Sequence, residues 1–256
     1  MNPLNLLKKF DMFNDKTEHF YGKVYLDKIF SSIQTEFGSK KLRVLDAGCQ
    51  AGRIAIPLAE AGHTVIAIDS DVKSIKMARQ NAEIKNVKAN FIVGDLTLEL
   101  EKLETNSFDV IVCTEVLYSN NAPDKMFRQL ARLLARPGLL FSSHRTKYYY
   151  VSLALLKKDF DTALLILDKS SGVIDGGSYN WQNPAEIRNL FQENDIGLQD
   201  LKGVGLFSGT WPDSFSKIVD PQKLNEKELE KLGRIEAEQW GDCIGCARYI
   251  LAIGKK

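Results

Sequence analysis

The sequence predicts an α/β fold with a doubly wound parallel sheet. Three observations carry this. Short β-type runs alternate with amphipathic helical patterns through the middle of the chain. The stretch VLDAGCQAG at 44–52 leads a strand into a glycine-bearing turn. The length of 256 residues suits one large α/β domain with insertions.

The elements follow in order. Residues 41–48 read as a strand, 53–62 as a helix closed by Gly62, and 63–69 as the next strand. Residues 74–85 form an amphipathic helix with Ile75, Ala78 and Ala82 on one side. Strands are expected at 89–95 and 108–115, a helix at 126–138 stopped by Pro137 and Gly138, and a fifth strand at 139–145. Beyond residue 146 the pattern changes. Residues 147–169 read as one or two helices, 170–184 as a long polar loop, and 185–195 as a helix. A strand falls within 198–209, a charged helix at 225–240 and an apolar strand at 247–255. A single domain over 1–256 is expected, with cap elements near 1–37, 146–184 and 208–240 lying over the carboxyl edge of the sheet.

Bulk composition narrows the partners. Net charge is +1, which supplies no global attraction to nucleic acid or to an anionic membrane. No apolar run approaches the roughly 18 residues that a spanning helix needs, and the first ten residues lack the order of a signal peptide. A cytoplasmic protein is expected, without membrane or nucleic-acid partners. Cys243 and Cys246 form a lone CxxC with no second ligand pair, so no metal site is expected.

The chemistry starts at Asp46. Gly48 and Gly52 are too far apart to open a GxGxxG loop, and Asp46 would set negative charge against a pyrophosphate. The acid suits a ligand whose near end is positive. S-adenosylmethionine fits: it carries an ammonium and a sulfonium and has no phosphate, and a carboxylate at the strand end accepts from the ammonium. Gly48 leaves space open for the methionyl part. A second acid, about 20 residues beyond the first turn, takes both ribose hydroxyls, and AIDSD supplies Asp69. At the next strand end, VGDL offers Asp95 to the adenine amino group and Leu96 to cover the ring. The alternative for these acids is helix capping, by Asp69 or Asp71 near residue 72 and by Asp95 at a turn.

The series VLDAGCQAG, AIDSD, VGDL, FDVIVCTEVL and RPGLL resembles the class I S-adenosylmethionine-dependent methyltransferases over roughly residues 41–145, and ARYILAIGK resembles that family's last, antiparallel strand. The resemblance implies a Rossmann-like, mostly parallel sheet of seven strands in the order 3-2-1-4-5-7-6. It implies a cofactor site at Asp46, Gly48, Cys49, Gln50, Gly52, Asp69, Ser70, Asp95 and Leu96, with Cys113, Thr114 and Glu115 as its floor. Family members usually carry glycine where this chain has Gln50. The EVL stretch resembles the UbiE/UbiG-like branch, which acts on quinone precursors and other small metabolites. That branch often has histidine shortly after EVL, where this chain has Tyr118, Ser119 and Asn120.

The activity implied is methyl transfer to a small-molecule acceptor. RNA or protein methylation, or a non-catalytic S-adenosylmethionine-binding subunit, are the alternatives. CTEVLYSN is not the NPPY type used on amides and base nitrogens, and no Pro-Cys nucleophile follows strand four. Candidate catalytic groups are His144, Glu115 and Tyr118. His144 suits a general base by its ordinary pKa; the other reading is a histidine bonded to a loop. His63 is expected to be solvated. Candidate pocket residues are His19, Tyr21, Tyr25, Arg145, Tyr179 and Trp181, with Trp211 as either pocket wall or packing. Asn183 before Pro184 reads as a helix cap.

Overall fold

The computed structural model describes residues 16–174, 176–209, 214–238 and 243–256. In chain order its helices are α1 Lys16–Phe37, α2 Ala55–Glu60, α3 Val72–Ile84, α4 Leu96–Lys102, α5 Pro123–Leu133, α6 Lys147–Leu156, α7 Phe160–Asp168, α8 Pro184–Glu193 and α9 Glu226–Glu238. The strands are β1 Arg43–Ala47, β2 Thr64–Asp69, β3 Asn90–Val93, β4 Phe108–Cys113, β5 Leu134–Arg145, β6 Ser171–Ile174, β7 Gly177–Asn180, β8 Gly197–Val204 and β9 Tyr249–Lys255.

Seven strands make one sheet in the order β3-β2-β1-β4-β5-β9-β8, and β6 pairs β7 apart from it. With that hairpin set aside the order is the expected 3-2-1-4-5-7-6. β9 runs antiparallel to both neighbours, and β1 to β5 pair in parallel.

Strand periodicity divides the core. Successive side chains point to opposite faces. Val44, Val110, Val112, Phe141 and Leu251 pack with α1, α2 and α3 on one face. Leu45, Ala47, Ile111, Leu140 and Ala252 pack with α5 and α8 on the other. On α1, Tyr21, Tyr25, Ile29, Ile33 and Phe37 recur every fourth residue, and all are buried.

Three expectations are corrected. The helix at 126–138 ends at Leu133, and β5 begins at Leu134, ahead of Pro137. Proline lacks a ladder N–H; here it lies beside the register shift between Phe108 and Val110, where the ladder is interrupted. The polar loop at 170–184 contains the β6–β7 hairpin, its turn glycine Gly176 at φ 82°. A helix not anticipated, α4, follows Asp95. Of the expected cap at 1–37, residues 1–15 lie outside the described residues, as does Trp211.

A third apolar cluster sits beyond the carboxyl edge of the sheet. It joins Tyr149, Tyr150, Ala154, Ala163, Ile166 and Trp181 from α6, α7 and the segment after β7. The stretch between β5 and α8 leaves and rejoins the sheet at one place. Thr146 bridges Gln182, Gln182 N–H donates to Arg145 O at 2.9 Å, and Lys147 N–H donates to Gln182 O at 3.2 Å. Next in the chain, Asn183 and Glu186 form a complete capping box on α8. Asn183→Ala is expected to lower unfolding stability by about 1 kcal/mol, read as a shift in the midpoint of urea unfolding.

Candidate functional site

The turn after β1 is shaped by its backbone. Gly48 stands at φ 90°, and a Cβ there would lie 2.1 Å from Val116 Cγ2. The space expected to be open beside Gly48 is therefore filled by a methyl group from the segment after β4. Gln50 takes φ 43°, a left-handed conformation in which glycine is the usual residue. Its N–H donates to Asp69 Oδ2 at 2.9 Å, which anchors the turn to the end of β2.

Asp46 is 2% exposed, and its Oδ2 has no hydrogen-bond partner. Burial pushes its pKa up to about 7, against the opposing pull of Arg53 and the backbone N–H of Ala55. Parity places Asp46 with Val44 on the α1 face of the sheet.

The two readings of the second acid are separated. Asp71 caps α3, accepting from Lys73 N and Ser74 N. Asp69 does not cap the helix; it accepts from Gln50 N and Asp71 N and keeps further lone pairs. Asp95 is exposed, caps α4 by accepting from Thr97 N, and is not on the cleft wall, whereas Leu96 is. The capping reading is thus realised for Asp71 and Asp95.

At the end of β4, Glu115 takes φ 60° and its N–H donates to Ser143 Oγ at 2.6 Å. Arg53 Nη2 donates to Glu115 Oε1 at 3.0 Å, and Arg53 Nη1 to Glu18 Oε2 at 2.6 Å. The Arg53 guanidinium holds the Glu115 carboxyl below its ordinary range, with smaller help from Arg248 and Arg145, although burial alone would raise it. Asp46, Gly48, Cys49, Gln50, Asp69, Ser70, Leu96, Thr114 and Glu115 line a cleft of about 190 Å³, together with Arg53, Ile54, Val116 and Ser119. Gly52 turns the chain behind it, with Ile56 at its α-carbon. Cys113 is fully buried in the helical layer of α5.

For His144 the structure shows the alternative arrangement, a histidine bonded to a loop. It is a residue of β5, and parity sends it to the face opposite Asp46, between Phe127 and Phe191. Gln182 Oε1 accepts from Nδ1 at 2.6 Å, so Nε2 accepts from Ser142 at 2.8 Å. Burial drives its pKa down to about 4. Both nitrogens are engaged and the ring is neutral at pH 7.

The other pocket candidates divide. Tyr118 and Tyr179 stack at 6.1 Å and, with Arg145, line a second cavity of about 250 Å³. Trp181 is fully buried in the third cluster, its Nε1–H donating to the carbonyls of Ile166 and Lys169. His19 is exposed and lines neither cavity. Tyr21 bonds Ser208 at 3.1 Å, and Tyr25 lies beneath the Arg53 guanidinium, its ring centroid 5.7 Å away. His63 is half-buried and accepts from Leu42 N at 3.3 Å. Among the described residues, no three His, Cys, Asp or Glu side chains gather as a metal site.

Sequence reasoning missed Arg53, Val116 and Glu18. Arg53 opens an otherwise apolar helical run, RIAIPLA, which was a usable signal of a buried cation. Nothing local marks Glu18.

A family model described as "Methyltransferase domain" matches residues 38–194. A ubiquinone biosynthesis O-methyltransferase of Rickettsia akari is 27% identical over 192 residues, covering 73% of this chain and 72% of that protein. One of Actinobacillus pleuropneumoniae is 28% identical over 193 residues, covering 73% and 78%. Among solved structures, magnesium protoporphyrin IX methyltransferase from Synechocystis, with bound SAH, superposes with a TM-score of 0.64 at 18% identity, covering 100% and 95% of the two chains. The [4+2]-cyclase SpnF superposes with a TM-score of 0.57 at 15% identity, covering 90% and 80%. These structural likenesses concern the fold.

Asp46 links the cleft to stability. Its pKa rises from 3.8 in the unfolded chain to about 7 in the fold, so between these values the native state binds more protons. This group's contribution to stability is complete below about pH 4 and is lost as pH rises to about 7. Without ligand, Asp46→Asn should melt several degrees above wild type at about pH 8, and the gap should close toward pH 4, as scanning calorimetry would record.

Proposed function

The chain belongs to the methyltransferase-domain family and is an S-adenosylmethionine-dependent methyltransferase, and from that premise we propose that it methylates an oxygen of a small molecule held between the β1–β2 cleft and the cap. The observation that carries the cofactor assignment is the partnerless buried oxygen of Asp46. A buried carboxylate of this kind repels phosphate and is completed by a cation.

In this reading Asp46 accepts from the ammonium of the cofactor and Asp69 from its ribose hydroxyls, beside Ser70. Leu96 covers the adenine, and Asp95 caps the helix that presents Leu96. Gly48, Cys49, Gln50 and Gly52 shape the turn against the methionyl part, and Thr114 and Glu115 form the floor. S-adenosylmethionine bound there supplies a methyl group already activated by its sulfonium. The protein's task is then to align the acceptor and exclude water. Val116 seals the cleft behind Gly48, and α1, tied down through Glu18 and Arg53, closes the same face.

His144 does not take the acceptor's proton, because both its nitrogens are committed. Glu115, held ionised by Arg53, is a weak base and serves to fix the floor. Tyr118, on the wall of the second cavity, contacts the acceptor. The cap of this single domain comprises α1 from the 1–37 segment and the described residues within 146–184 and 208–240. An oxygen acceptor is supported by the likeness to proteins named as O-methyltransferases. A small acceptor is supported by the size of the second cavity. Among the described residues no helix is long and apolar enough to cross a membrane, and four cysteines are free, which supports a cytoplasmic setting.

Calorimetric titration with S-adenosylhomocysteine is expected to give micromolar binding, and Asp69→Ala to weaken it by about tenfold or more. The ammonium and a proton compete for Asp46, so affinity should fall as pH drops below about 7, a dependence that Asp46→Asn should remove. No binding by the wild-type protein would overturn the cofactor assignment.

A further inference from the structure

The end of β5 carries a guanidinium whose surroundings are unusual. Arg145 is 9% exposed, and its Nε and Nη1 are buried without a hydrogen-bond partner. Four tyrosine rings surround it, with centroids at 4.1 Å for Tyr249, 4.9 Å for Tyr118, 4.9 Å for Tyr149 and 5.8 Å for Tyr150. Tyr249 is its direct cross-strand partner, so strand register fixes the closest contact. No carboxylate of the described residues lies in ion-pair contact with it; Glu115, which feels Arg145 more weakly than Arg53, is paired to Arg53.

Ring faces attract a guanidinium through their quadrupoles, but they accept little from its N–H edge. That edge is what a carboxylate uses, in short charge-assisted bonds. A buried cation with spent faces and unspent donors is an incomplete site for an anion. Arg145 also lines the second cavity, whose wall includes Tyr118, Tyr150, Tyr179, Leu153 and Ile174. The guanidinium shares this pocket with flat rings, aliphatic groups and the polar side chains of Lys157, Asp159 and Thr162; unspent donors beside ring faces fit a small planar molecule bearing one negative group.

We propose that the methyl acceptor is a small aromatic or conjugated carboxylate, whose carboxylate Arg145 holds while the tyrosines flank its ring. This rests on the reading that the second cavity receives the acceptor. The carboxylate is an anchor that sets which ring oxygen is presented to the cleft.

The test titrates the wild-type protein with 3-hydroxybenzoate and with its uncharged isostere 3-hydroxybenzamide, with and without S-adenosylhomocysteine, following tyrosine fluorescence. The carboxylate should bind at least about tenfold more tightly than the amide. Arg145→Gln should abolish that preference while leaving S-adenosylhomocysteine affinity within about twofold, and Arg145→Lys should retain part of it. Equal binding of the two probes to the wild type, a preference that survives Arg145→Gln, or no carboxylate binding up to about 10 mM would overturn the proposal. The wild-type comparison decides even where the variants do not fold. Loss of S-adenosylhomocysteine binding with the carboxylate preference intact would instead strike only the cofactor assignment.

Discussion

Arg53 reaches two carboxylates at once, Glu18 on α1 and Glu115 after β4, with all three side chains largely withdrawn from water. Isolated buried charges are expensive, and a central cation between two anions is stable only while both contacts hold. The bridge therefore fixes the distance between an outer helix and the carboxyl edge of the sheet. It also holds Glu115 in a left-handed conformation that side chains seldom adopt unaided. α1 accommodates it at a cost in helix propensity: Gly22 faces the Arg53 stem so closely that a Cβ there would come within 2.7 Å of Cδ. Among the residues that line the cleft, Glu115, Asp69 and a carboxylate at Asp46 outnumber Arg53, so the cleft favours positive charge.

The parts of this arrangement that were legible in the sequence are those written within a few residues. Asp46 and Asp69 sit at strand ends that hydrophobic pattern alone locates, and the role of each acid depends on its own turn. Capping was legible as a possibility for Asp69 and Asp71 together; only coordinates show that Asp71 does the capping and that Asp69 receives the Gln50 amide. Local reasoning stopped where parity or distant chain decided the outcome. His144 and Arg145 are neighbours, yet one faces a phenylalanine-lined core and the other a ring of tyrosines. The hairpin of β6 and β7 was obscured because its glycines and serines read as a loop, while its pairing is made by backbone groups. Arg53 and Glu18 come from segments whose meeting is a property of the tertiary fold.

One short segment contributes to both cavities. Val116 and Ser119 line the first, and Tyr118 lines the second, all within one short segment whose Leu117–Ser119 part is a 3-10 turn. Asn180, at the end of β7, donates to Asn120 O at 2.7 Å and joins the hairpin to that segment. The floor of the cleft and the roof of the cap are thus held by continuous covalent and hydrogen-bonded structure, which lets the position of one be set by the other.

The insertion between β5 and α8 has its own lesson. Its two ends are bonded to each other where Thr146 meets Gln182, so the sheet continues past it as though past a single point. Closing a loop costs little more as the loop grows, and a segment with abutting ends transmits little of its own length to the scaffold. A lineage, or an engineer, can therefore rewrite this excursion wholesale and graft a new specificity onto an unaltered chassis, with the junction pair as the seam.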